Sequence, residues 1–257
     1  MKYDSYMICT SPRSGSTLLC HMLAATGIAG QPESYFFGNS LQEWMDDLGI
    51  APDETAKEPE ILKAVFKTAQ RKGRDGTDVF GLRMQMHSFR FFCQNLVVLH
   101  PGNLTDCERI ERTFGRTLFV HLTRADKVKQ AVSYLKAQQT GLWHVAPDGS
   151  ELERLAPHRE PLYDGEELRS CVETMTAYDR DWNDWFTQER VKPVRITYDG
   201  LSADPIGTLS DILDRLGLDR TAADGVSPGV KKLADSTNQE WVTRFHAEQE
   251  LEAEQQR

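Results

Sequence analysis

Residues 6–9, Tyr6-Met7-Ile8-Cys9, form a short apolar run that gives way at once to Thr10-Ser11-Pro12-Arg13-Ser14-Gly15-Ser16-Thr17. After it, Leu18, Leu19, Met22 and Leu23 recur at helical spacing as far as Gly27. A strand over 6–10 that breaks into small and polar residues and re-forms as a helix over 15–27 restricts the architecture severely. The loop offers unpaired backbone N–H groups at the positive end of a helix dipole, the ordinary setting for a bound phosphate. Gly15 lets the backbone approach an anion, Ser14, Ser16 and Thr17 add hydroxyl donors, and Arg13 adds a fixed charge with a fork of donors. The segment lacks the first glycine and the lysine of G-x-x-x-x-G-K-[ST], so the Mg²⁺ logic of that motif need not apply. A plain strand-to-helix turn with a serine N-cap is the competing reading.

The same alternation continues along the chain. A helix is expected over 58–72, a strand over 79–86, and a buried strand over Leu118-Phe119-Val120-His121-Leu122-Thr123 with a helix over 126–139 behind it. Residues 144–164, with three prolines, read as a long loop; 166–189 as a helix; Val194–Tyr198 as a strand. Pro205 starts a helix that Gly217 ends, and 236–253 form a polar C-terminal helix with an acidic, solvated run from Glu248 to Glu254. Strands separated by helices of ten or more residues predict a three-layer α/β fold, a central, mostly parallel sheet flanked by helices. No repeat or linker divides residues 1–257, so one domain is expected.

Thirty basic against thirty-nine acidic side chains give a net charge of −9, which argues against a nucleic-acid-coating protein but permits a local cationic pocket. The five cysteines are scattered without a C-x-x-C pair, so neither a disulfide framework nor a metal site is expected. No segment has the length of a membrane span and the N-terminus lacks a signal-peptide pattern, which places the expected location in the cytoplasm.

A second anion grip follows the buried strand. Arg124 stands at its C-terminal end, where open α/β sheets bind ligands, and Ser133 lies nine residues on, a distance that helical geometry returns to the same side. A cation and a hydroxyl suit a phosphate monoester. Ser11-Pro12-Arg13-Ser14-Gly15-Ser16-Thr17-Leu18-Leu19 together with Arg124 through Gln130-Ala131-Val132-Ser133 resembles the sulfotransferases that use 3′-phosphoadenosine-5′-phosphosulfate (PAPS). Ala24 to Glu33, Phe80-Gly81-Leu82-Arg83-Met84, Asn183-Asp184-Trp185-Phe186 and Asn238-Gln239-Glu240-Trp241-Val242 resemble the bacterial trehalose 2-sulfotransferase branch, a likeness running from about residue 6 to 246 with a gap around 40–78.

The resemblance implies a P-loop-like sulfotransferase fold, with the donor's 5′-phosphosulfate on Arg13, Ser14, Gly15, Ser16 and Thr17 and its 3′-phosphate on Arg124 and Ser133. It implies a sugar acceptor, free or on a glycolipid, no metal, and a homodimer. Arg13 suits the leaving oxygen and is counted as catalytic. Arg83, ending the 79–86 strand, could hold the sulfuryl oxygens or the acceptor, against the competing reading of a surface salt bridge. A sugar hydroxyl needs a general base. Glu33 is the first candidate, among Pro32, Tyr35 and Phe36, although the trehalose-type pattern G-x-P-x-E would set the carboxylate at position 34, here Ser34. His87, just after the second strand, is the alternative base. Tyr35 and Phe36 are candidates to stack on a sugar, and Trp143 or Trp185 on adenine, although aromatics at such spacing also build cores. Two other functions stay open: a P-loop-type nucleotide kinase or hydrolase, and a non-catalytic nucleotide-binding protein.

Overall fold

The computed structural model describes residues 2–51, 55–146, 148–229 and 235–255. Strands β1 (Ser5–Thr10), β2 (Phe80–Gln85), β3 (Thr117–Thr123) and β6 (Val194–Thr197) form one sheet in the order β2-β1-β3-β6, every pair parallel. Around it lie α1 (Ser16–Ala25), α2 (Leu41–Leu48), α3 (Glu58–Arg74), α4 (Met86–Leu99), α5 (Asp106–Phe114), α6 (Lys127–Thr140), α7 (Gly165–Gln188), α8 (Tyr198–Ala203), α9 (Pro205–Leu216) and α10 (Ser236–Gln255). The sheet is the mostly parallel, helix-flanked layer that the sequence predicts.

All six residues of β1 are buried, the pattern of a central parallel strand covered on both faces. Side chains alternate across the sheet, so Met7 and Cys9 join a core with Leu82, Met84, Phe92 and Trp182, while Tyr6 and Ile8 join Leu19, Val120, Leu122 and Leu213 on the other face. A third cluster, Val132, Leu135, Leu168, Trp241 and Phe245, fastens α10 to α6 and α7.

Register brings the four strand ends together: Thr10 lies opposite Gln85 and Leu122, and Thr123 opposite Thr197. The residues that follow, from Ser11, Met86, Arg124 and Tyr198, therefore emerge along one rim, where the strand order reverses around β1 and β3.

The structure departs from one expectation and fills in others. Residues 144–164 are not one loop: β4 (Leu142–Val145) and β5 (Glu151–Arg154) pair antiparallel as a hairpin. The segment after the second strand holds α4 and α5, unassigned from sequence. The polar C-terminal helix buries Trp241, Val242 and Phe245, while its acidic run lies on the exposed side as expected, Glu248 accepting from Tyr163 Oη at 2.6 Å and Glu252 pairing with Arg169 at 2.7 Å.

Candidate active site

The loop after β1 is fixed from behind before it can hold anything in front. Thr10 Oγ1 donates to the Leu122 carbonyl at 2.8 Å, and Trp182 Nε1 donates to the Thr10 carbonyl at 2.9 Å. Gln130 Nε2, fully buried on α6, donates to Ser11 Oγ at 2.9 Å and the Pro12 carbonyl at 2.7 Å. Gly15 adopts φ +91° as the N-cap of α1, and a Cβ there would sit 2.7 Å from Cδ2 of Tyr198. Only glycine fits a left-handed backbone pressed against a ring. Ser14 departs from expectation: its side chain is buried, with Oγ 2.5 Å from Thr10 Oγ1. What Ser14 offers an anion is therefore its backbone N–H rather than a free hydroxyl. Ser16 is also buried, as the first residue of α1.

The two grips meet. Arg13 Nε donates to Ser133 Oγ at 3.0 Å and Arg13 Nη1 to the Trp143 carbonyl at 2.6 Å. Arg124 Nη1 reaches the Arg13 carbonyl at 3.4 Å. Its guanidinium lies 4.6 Å from the centroid of the Tyr198 ring, the ring that touches Gly15. Burial, then the neighbouring Arg124, lowers the Arg13 pKa to about 10, and burial lowers that of Arg124. Below Arg124, Lys127 Nζ donates to its carbonyl at 2.6 Å and to Asp179, so α6 and α7 hold the second grip in place.

Arg83 bridges loop and neighbouring segment. Its Nη1 donates to Thr17 Oγ1 at 2.9 Å, its Nε to Ser34 Oγ at 2.8 Å, and its Nη2 lies 3.4 Å from Glu33 Oε2. The Arg83 side chain is only 18% exposed and partly hydroxyl-bound, which is not the surface salt bridge of the competing reading. Glu33 forms an isolated parallel bridge with Leu82, so the offset between positions 33 and 34 falls on extended backbone, and Arg83 engages both side chains. The apolar surroundings expected for Glu33 are replaced by this cation.

Phe36 is not available to a sugar: it is 1% exposed, packed against Trp44, Phe66 and Phe92. Tyr35 is also buried, its hydroxyl donating to the Gln31 carbonyl at 2.7 Å. The exposed member of the trio is Phe37, whose ring meets that of His87 edge-on at 5.0 Å. His87, in the first turn of α4, stays on the same rim, with its pKa lowered by burial. Trp185 is buried against Phe89 and Phe119 and is a core residue, leaving Trp143, half-buried beside Tyr134, at the loop.

Sequence reasoning missed His144. The hairpin carries it to the loop, with Nε2 3.0 Å from Thr17 Oγ1 and 3.3 Å from Glu153 Oε2. Burial and the guanidinium groups of Arg13 and Arg83 lower its pKa to about 3, so it is neutral at physiological pH. The signal was Asp148-Gly149 between Leu142–Val145 and Glu151–Arg154, a turn dipeptide that favours a hairpin. Among the described residues no group of three or more His, Cys, Asp or Glu is placed to hold a metal ion, and no helix is long and apolar enough to cross a membrane.

The trehalose 2-sulfotransferase of Mycobacterium tuberculosis is 28% identical over 263 residues, covering 95% of this chain and 94% of that protein. That of Mycolicibacterium smegmatis is 27% identical over 258 residues, with 94% of each covered. A sulfotransferase domain from the Synechococcus PCC 7002 olefin synthase covers 93% of this chain and 84% of its own at 16% identity and a TM-score of 0.44. The family model described as Stf0 sulphotransferase matches residues 5–248, which takes in the loop, both grips and the hairpin, and the chain belongs to that family.

Proposed function

We propose that this protein moves a sulfuryl group from 3′-phosphoadenosine-5′-phosphosulfate to a hydroxyl of trehalose or a related sugar. The observation that carries the reading is the junction of the two grips: Arg124 reaches the carbonyl of Arg13 and shares the Tyr198 ring with Gly15. A nucleotide whose ribose carries phosphates at both its 3′ and 5′ positions would bring two anions to these neighbouring cations. Family membership supports sulfuryl transfer, and the names of the two mycobacterial relatives support trehalose.

The residues fit the donor chemically. Arg13 and Arg124 have lowered pKa values and neutral oxygen partners, the condition of cations that an anion relieves. In the proposed reaction Arg124 and Ser133 hold the 3′-phosphate. Arg13, Thr17 and the N–H groups at Gly15 and Ser16 hold the phosphosulfate and stabilise charge on the departing phosphate. The donor supplies a sulfuryl group whose bond to the 5′-phosphate breaks with its electron pair while the acceptor oxygen bonds to sulfur. Glu33 takes the acceptor's proton, its carboxylate oriented by Arg83 Nη2 at 3.4 Å.

Recombinant protein given PAPS and trehalose should form trehalose sulfate, and Glu33→Gln should lower kcat by about 10²–10⁴-fold with donor affinity changed little. A fully active Glu33→Gln variant would move the base to His87. Failure to bind 3′-phosphoadenosine-5′-phosphate would overturn the reading itself.

A further inference from the structure

His144 does not come near the loop by accident of packing. Cross-strand register puts it opposite Glu153 in the β4–β5 ladder, so the carboxylate beside its ring is built into the hairpin. The hairpin is fixed at its base, with Leu155 N donating to the Gly141 carbonyl at 2.8 Å and Arg154 Nη1 to the Thr140 carbonyl at 2.7 Å. At its inner edge the Trp143 carbonyl takes a hydrogen bond from Arg13. These contacts hold β4 against the phosphate loop and set the imidazole on Thr17.

The hydrogen-bond inventory around Thr17 is restrictive. A hydroxyl has two acceptor lone pairs and one proton. Arg83 Nη1 can only donate, and it lies 2.9 Å from Thr17 Oγ1. His144 Nε2 lies 3.0 Å from the same oxygen and also 3.3 Å from a Glu153 carboxylate oxygen. A bare nitrogen lone pair facing a carboxylate is repelled, whereas an N–H facing it is attracted, so the neutral ring carries its hydrogen on Nε2. That one hydrogen, shared between Thr17 Oγ1 at 3.0 Å and Glu153 at 3.3 Å, and the Arg83 N–H then meet both lone pairs of Thr17. Its own proton is left for a third partner, other than Arg83 and His144.

We propose that His144 is a positioning residue for the sulfate donor: with Arg83 it saturates the acceptor side of Thr17, so that the hydroxyl donates to the bound phosphosulfate. The proposal rests on the donor reading above and adds the residue that fixes the sense of one of its hydrogen bonds. A hydroxyl free to rotate would have to be reoriented each time an anion arrived; one held as a donor is organised beforehand. The groups that face the ring are Arg13, Arg83, His21 and Glu153. Three of them are cationic or basic and one is acidic, so the ring stays neutral and its tautomer is set by the carboxylate.

The test combines a tautomer measurement with a double-mutant cycle. In the unmodified protein, the ¹⁵N shifts of the His144 ring should show a protonated Nε2 at neutral pH; an unprotonated Nε2 overturns the proposal. For the cycle, 3′-phosphoadenosine-5′-phosphate is titrated calorimetrically into folded variants. His144→Phe should weaken binding about tenfold, the loss expected for one hydrogen bond to a charged group. His144→Gln, which keeps an N–H at that position, should stay within about twofold of the unmodified protein. In a Thr17→Val background, His144→Phe should cost less than about twofold, because the hydroxyl it positions is gone. Additive losses, or a His144→Gln variant as weak as His144→Phe, refute the positioning role while donor binding itself survives. If the unmodified protein binds no bisphosphate, it is the donor reading that fails, and the ring measurement still decides the tautomer.

Discussion

Gly15 is where backbone geometry, ring packing and the second grip are coupled, and alanine at that position separates them. The substitution has two costs. A side chain at φ +91° pays the left-handed backbone penalty, about 1–2 kcal/mol. Its Cβ would also lie 2.7 Å from Tyr198 Cδ2, so the ring must retreat by about 0.7 Å to reach the 3.4 Å at which ordinary contact begins. Overpacking of that kind costs about 1–3 kcal/mol. Gly27→Ala supplies the control, since Gly27 has φ +67° and nothing within 4 Å of the added carbon. Urea unfolding should thus show Gly27→Ala about 1–2 kcal/mol less stable and Gly15→Ala about 2–5 kcal/mol less stable. The ring that yields is also the platform under Arg124, whose guanidinium lies 4.6 Å from its centroid. Gly15→Ala should therefore weaken 3′-phosphoadenosine-5′-phosphate more than adenosine 5′-phosphosulfate, which lacks the 3′-phosphate. Equal stability of the two alanine variants would refute the clash, and equal losses for the two nucleotides would refute the coupling through Tyr198.

Arg124→Ala should weaken 3′-phosphoadenosine-5′-phosphate by about 10–100-fold and adenosine 5′-phosphosulfate far less, measured by calorimetry at one salt concentration; equal losses would remove the 3′-phosphate assignment. Acid should destabilise the protein through His121, whose pKa burial and Arg195 lower to about 4. Between the ordinary histidine value near 6.5 and that folded value the unfolded chain binds the extra proton, so stability falls as pH falls through this window. From pH 7 to 5 the contribution is about 1–2 kcal/mol, and denaturant titrations of His121→Phe should show that much less pH dependence.

The parts of the fold visible in the sequence were those governed by local chemistry. The strand at Ser5–Thr10, the loop and the helix after it combine a buried apolar run, a left-handed glycine and helical periodicity within twenty-one residues. Arg124 and Ser133 were matched through one strand end and the helix after it, but the contact that Ser133 makes is with Arg13, 120 positions away. The burial of Phe36 was not legible: three adjacent aromatics look alike until Trp44, Phe66 and Phe92, from three different helices, surround the middle one and leave Phe37 outside. The helix α4 carried its own signal, Phe89, Phe92 and Leu96 on one face, but it begins directly where β2 ends, with no breaker between them. His144 depended on a contact between residues 127 positions apart, which no local pattern encodes.

The partners of the cations divide the site into its two proposed halves. Lys127 faces the carboxylate of Asp179 and the carbonyl of Arg124, so its charge is compensated within the fold and its task is support. Among the described residues, Arg13 and Arg124 contact neutral oxygens and an aromatic face, which orient a guanidinium without cancelling its charge. Carboxylates act on them from a distance, Glu153 on Arg13 and Asp126 and Asp199 on Arg124, so two positive charges without a direct ion pair among the described residues stand on one rim, and a polyanion is the ligand that such a local field favours. Arg83 is intermediate, holding two hydroxyls and one carboxylate at 3.4 Å. An anion held by Arg83 as tightly as by Arg13 would have to displace Glu33, the group that the proposed reaction needs as a base. In the proposed reaction this partner chemistry favours Arg13 and Arg124 for the donor and Arg83 with Glu33 for the acceptor side, with Thr17, which Arg83 contacts, as the hydroxyl between them.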